Sequence, residues 1–164
     1  MLSFFMAFAK WLQGTWWALD ISGSTWAYPF VQMTHFSGLS LWLGTNLSLD
    51  LRLLGIGKKR QTASQLSDSL FAWNWIGFCI AVAGGFMLFA SAATKYVPNP
   101  AFEIKLGILV PTGIILHIIN QAKSQTWGQT PETPVVAKVL ALLEFLIWFS
   151  VITAAVSIPN YDTH

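Results

Sequence analysis

Two histidines, one lysine and one glutamate stand inside long apolar stretches of this chain: His35, His117, Lys105 and Glu144. Asn46, Asn74 and Asn120 accompany them. A polar or ionisable side chain within a bilayer costs a few kcal/mol unless it is paired, so such groups turn toward the interior of a helix bundle. An imidazole held there can ligate a metal, carry a proton, or fill a hydrogen-bonding position. A histidine with a methionine or a second nitrogen suits haem iron. A histidine beside a glutamate in low dielectric suits proton transfer.

The elements that must position these groups are helices. Four apolar stretches, 27–49, 70–93, 102–120 and 135–158, are each long enough to cross a hydrocarbon core, which takes about 20 residues. Backbone groups in lipid must bond internally, so each stretch is predicted to be helical. Gly55 and Gly57, the segment Val97 to Pro100, and the segment Gly128 to Pro134 separate them. These connections are short, which predicts antiparallel neighbours and an up-down four-helix transmembrane bundle. The expected fold is thus all-α integral membrane, with residues 27–164 forming the bundle.

Residues 1–26 precede it. Phe4, Phe5, Phe8, Trp11, Leu12, Thr15, Trp16 and Leu19 recur at helical spacing, with Ser3, Lys10 and Gln13 elsewhere on the wheel. Lys10 interrupts the apolar run, so a cleaved leader is not expected. The segment is predicted to be an amphipathic helix lying in the membrane interface, with Trp11, Trp16 and Trp17 at headgroup level.

Composition agrees with a bilayer. Of the 164 residues, 54% are hydrophobic and 10% are charged, with nine tryptophans, and the mean hydropathy is +0.56. The net charge of +2 is too small to suggest a nucleic-acid partner. The lone cysteine, Cys79, excludes an intramolecular disulfide and is expected to be a small buried apolar side chain. Arg52, Lys58, Lys59, Arg60, Lys123 and Lys138 fall on one face, six basic residues against Lys10, Lys95 and Lys105 on the other. That bias predicts a bacterial inner membrane protein with the basic loops in the cytoplasm and both termini outside.

Depth along each helix sorts the polar groups. At ~1.5 Å of rise per residue, His35 lies ~12 Å from the outer end of the first span and His117 ~9 Å from the inner end of the third. The two histidines are therefore expected at different levels. His117, Glu144, Asn74 and Asn46 match in depth and form an inner group that can relay protons or meet a quinone. His35, Met87 and Lys105 match near the outer side. There, His35 is the first candidate haem ligand, Met87 or Lys105 a candidate partner, and His117 the second histidine ligand to consider. Gly38, Trp42 and Thr45 share the His35 face, and Gly113 precedes His117 by one turn.

The stretch beginning "HFSGLSLWLG" at His35, with Arg52 and Leu53 at the far end of the same helix, resembles the first helix of a loose group of bacterial four-helix membrane proteins. Its branches are the copper resistance protein D-like family, the haem-binding protoporphyrinogen oxidase family, and an uncharacterised set of similar length, to which the likeness is closest. Lys105, Leu106 and His117 in the third span resemble the same group. The resemblance implies a haem-binding membrane bundle, with His35 as an iron ligand and Lys105 steering a porphyrin carboxylate.

These readings converge on a b-type haem subunit that moves electrons, with quinone as a possible co-substrate and a larger membrane or redox partner. The alternatives are a cofactor-free anchor or assembly subunit, and a copper-handling protein, although Met1, Met6, Met33 and Met87 are scattered for a copper site.

Overall fold

The computed structural model describes residues 2–56, 61–127 and 133–161. The basic loop Lys58 to Arg60, part of the segment Gly128 to Pro134, and His164 lie outside the described residues.

Each regular element among the described residues is helical. The N-terminal run is two helices, α1 (Leu2–Gln13) and α2 (Trp16–Gly23), where a single helix was expected. They divide at Gly14–Thr15, where the Thr15 amide and hydroxyl both turn back to the Leu12 carbonyl. Phe4, Phe5, Phe8, Trp11 and Trp16 are exposed, while Ala9 and Leu12 are buried. Gln13 ties this unit to the far end of the hairpin by accepting hydrogen bonds from the Thr94 amide and hydroxyl.

Four longer helical stretches follow. The first, α3 (Ala27–Leu53), runs four residues past its predicted end. The second, α4 (Ala63–Ser91), starts seven residues early, because Thr62 and Gln65 form a capping box that satisfies the first free amides. A one-turn helix, α5 (Ala93–Tyr96), continues from it. The third stretch opens with α6 (Pro100–Ile108), capped by the Asn99 side chain on the Ala101 and Phe102 amides, with Pro100 in the first turn. It widens to a π-helical turn at Leu109–Ile114 around Pro111, which has no amide to donate, and continues as α7 (Ile115–Trp127). The last is α8 (Val135–Ser157).

Three of these stretches, Ala63–Ser91, Pro100–Ser124 and Val135–Tyr161, are long and apolar enough to cross a membrane. Helix α3 matches them in length at 27 residues but also carries His35, Asn46, Asp50 and Arg52.

The helices pack as an antiparallel ring. α3 lies along α4, α4 along α7, α7 along α8, and α8 closes on α3. Gly38 and Gly77 set the first contact. A Cβ on Gly38 would fall 2.5 Å from the Ala81 amide nitrogen, and one on Gly77 would fall 2.6 Å from that of Trp42. Small residues at such seams let backbones approach, as in membrane helix pairs. Buried positions are often small (Ala81, Ala90, Ala137, Ala141), whereas Ile76, Phe86, Leu142 and Phe149 face outward. Cys79 is also exposed, against the expectation of burial. It is two residues from both Gly77 and Ala81, so it points away from the α3 seam.

Candidate functional site

Midway along the ring, polar side chains from all four long helices meet. Thr45 and Asn46 come from α3, Asn74 from α4, His117 and Asn120 from α7, and Glu144 and Trp148 from α8. All seven are buried. His117 Nδ1 lies 3.0 Å from Glu144 Oε1, and its Nε2 lies 3.0 Å from Asn74 Oδ1. Glu144 also accepts from Trp148 Nε1 at 3.3 Å and from Asn120 Nδ2. Asn74 Nδ2 donates to Thr45 Oγ1 at 2.8 Å and to Asn46 Oδ1. The inner group expected from depth, His117 with Glu144, Asn74 and Asn46, is thus brought together.

Both ring nitrogens of His117, the second histidine considered for iron, are engaged by protein groups, and His117 belongs to the polar network.

A second feature lies beyond it. Trp42 packs edge-on against Trp148 at 4.6 Å between ring centroids and against His117 at 5.9 Å. Trp42 and Trp148 also line a cavity of about 330 Å³ bounded by α3, α4, α6 and α8. The two indoles therefore form a partition, with the polar network on one side and the cavity on the other. The cavity walls are apolar, including Leu39, Phe89, Phe102 and Val151. Among the described residues, His35 and Lys105 are its only ionisable lining residues. Apolar pockets with a few convergent polar groups are the usual form of small-molecule sites.

His35 is held firmly. Its Nδ1 lies 2.7 Å from the Ala81 carbonyl oxygen, which can only accept, so Nδ1 carries the proton and donates. In the neutral ring Nε2 then bears a lone pair, and it has no hydrogen-bond partner among the described residues. A backbone-anchored imidazole of this kind is the usual support of a metal-ligating histidine. Gly85 makes room for the ring: a Cβ there would sit 2.9 Å from His35 Cε1.

Other expected residues lie elsewhere. Met87 is exposed and does not line the cavity, so it is not placed as a partner of His35. Glu144 and Asn74 are behind the tryptophan partition and do not line the cavity. The two histidines are not brought together, in keeping with their different depths. For copper, no cluster of three or more His, Cys, Asp or Glu side chains occurs among the described residues. A more open groove of about 450 Å³ between α6 and α8 offers hydroxyl groups but, among the described residues, no histidine, lysine or carboxylate.

One buried carboxyl was not anticipated. Asp50 is 3% exposed and lines a small cavity shared with Trp148, whose indole donates to Glu144. It lies one turn beyond Asn46 on the same face of α3, a spacing that was visible in the sequence.

Residues 10–159 match a family model described as "Family of unknown function (DUF6644)", and the chain belongs to that family. No curated protein and no solved structure matches the chain.

Proposed function

We propose that this member of the DUF6644 family is a four-helix integral membrane protein that binds a b-type haem through His35, and that it serves as an electron-carrying subunit of a larger membrane complex. The observation that carries this reading is the His35 imidazole, anchored by Nδ1 to the Ala81 carbonyl and leaving Nε2 for a ligand bond at an apolar cavity. Helix α3 would be the fourth span, its polar residues turned toward α4 and α8.

The residues present fit the group in three respects. His35 would hold the iron. Gly85, with no side chain, lets the His35 ring seat against α4 at the cavity wall. Lys105 would pair with a propionate, as a cation at the same cavity. The rim, where Val82, Phe86, Leu106 and Ile152 are exposed, opens toward the apolar surroundings. When bound, the haem would supply one-electron chemistry. The protein's part is to orient the imidazole, exclude water and set the local charge.

One observation favours a second reading. Among the described residues, no second histidine and no methionine lines the cavity. A quinone headgroup needs no axial pair, and it could accept a hydrogen bond from Lys105 while donating to His35 Nε2 in its reduced form. The cofactor-free anchor remains the reading from a different class.

The test is the visible spectrum and the organic extract of the protein purified in mild detergent. A Soret band at near one haem per chain supports the first reading. A quinone in the extract without a Soret band supports the second. Neither, in folded protein, overturns both and leaves the anchor.

A further inference from the structure

The polar network on the far side of the tryptophans has its own proton logic, which does not depend on what occupies the outer cavity. The Thr45 hydroxyl donates backward to the Leu41 and Trp42 carbonyls. Toward Asn74 it can therefore only accept, which orients the Asn74 amide with Nδ2 on Thr45 and Oδ1 on His117. His117 Nε2 must then be a donor. Its Nδ1 faces Glu144 Oε1, and two lone pairs cannot face each other at 3.0 Å. A proton belongs between them, on the imidazole as imidazolium with carboxylate, or on the carboxyl group with neutral imidazole.

Two further observations concern exchange of that proton. Asn120 is 1% exposed and gives its Nδ2 to Glu144, yet its Oδ1 has no partner among the described protein atoms. A buried acceptor beside the pair calls for a donor. Asp50 is a second buried carboxyl, one turn beyond Asn46 on the same face of α3, and it shares a cavity of about 120 Å³ with Trp148, whose indole donates to Glu144.

We propose that the His117–Glu144 pair is a proton-binding site within the bundle, holding one exchangeable proton between Nδ1 and Oε1, and that Asp50 is the group through which this proton enters and leaves. In the uptake direction a protonated Asp50 gives its proton to the pair and becomes a carboxylate. It is then reprotonated from the nearby end of α3. Release is the reverse. No electron moves and no bond but the acidic O–H or N–H changes.

The surrounding charges leave this assignment intact. On α3, Arg52 directs Nε to the Gln61 carbonyl. Asp68 on α4, Lys123 on α7 and Lys138 on α8 are exposed. Lys105 lies at the outer cavity beyond Trp42 and Trp148.

The experiment is nitrogen-15 NMR of histidine-labelled protein in lipid nanodiscs across pH, with the His117 signals identified by their loss in His117→Gln. The expected result is a protonated Nε2 at every pH, and an Nδ1 step that disappears in Glu144→Gln. In Asp50→Asn, exchange of the Nδ1 proton with solvent slows at least about tenfold, while the Nε2 signal stays. An unprotonated Nε2 in the wild type overturns the site, as does an Nδ1 step unchanged in Glu144→Gln. Wild-type exchange in Asp50→Asn overturns the role of Asp50. Should Glu144→Gln fail to fold, the wild-type titration and Asp50→Asn still decide.

Discussion

Gly85→Ala is the smallest change that should disturb the outer site. The added Cβ would sit 2.9 Å from His35 Cε1 and 3.2 Å from Nδ1. Carbon atoms pack at ~3.5–4.0 Å, so the ring must shift by at least about half an ångström. Its bond to the Ala81 carbonyl starts at 2.7 Å and would be stretched or bent away. Losing that hydrogen bond costs ~1 kcal/mol, and forcing a methyl into a packed seam costs a further ~1–3 kcal/mol. The variant should therefore unfold with ~2–4 kcal/mol less stability in detergent. If the lost hydrogen bond were felt fully at the ligand, binding at the cavity would weaken about fivefold. Gly107→Ala is the control, since nothing lies within 4 Å of its Cβ position. It should be neutral, or stabilising by ~0.5–1 kcal/mol as alanine replaces glycine in a helix. Ligand titration and thermal unfolding of both variants check this. Equal affinity and equal unfolding in the two would refute the claim that Gly85 sets the His35 ring.

Lys105→Met keeps most of the apolar stem and removes the charge, so it should lower affinity for a carboxylate-bearing ligand about tenfold, which corresponds to ~1.4 kcal/mol, without changing the unfolding midpoint; isothermal titration reads it. Glu144→Leu leaves His117, Trp148 and Asn120 without their shared acceptor. It should cost ~2–4 kcal/mol in a denaturant unfolding experiment, each lost bond contributing between the ~0.6 average within membranes and the ~1–3 for buried unpaired donors. A cysteine placed by Lys59→Cys should resist an impermeant thiol reagent added outside intact cells, with Cys79 replaced by alanine; ready labelling would reverse the orientation inferred from the basic residues.

Depth along a helix was legible in the sequence, and direction around it was not. Rise per residue alone matched His117 with Glu144, Asn74 and Asn46, and these side chains meet. Met87 matched His35 in depth but sits two residues past Gly85, ~200° around the helix, and so faces outward. Cys79 fails for the same reason. Asp50 escaped notice because the first span was ended at residue 49, whereas α3 runs on to Leu53. The Thr62–Gln65 capping box was readable as a T-x-x-Q signature, and it explains the early start of α4. Sequence patterning could not reveal that both His117 nitrogens are occupied, since this depends on the orientation of the Asn74 amide. That orientation is fixed in turn by a threonine hydroxyl turned back to its own helix.

The central claim is that His35 alone ligates a haem. Haem content and the reduced spectrum of purified His35→Ala and His117→Gln test it most directly, with equal unfolding midpoints as the check on folding. The account predicts loss of haem in His35→Ala and wild-type haem in His117→Gln. Retention of haem in His35→Ala, or its loss in both folded variants, would contradict it.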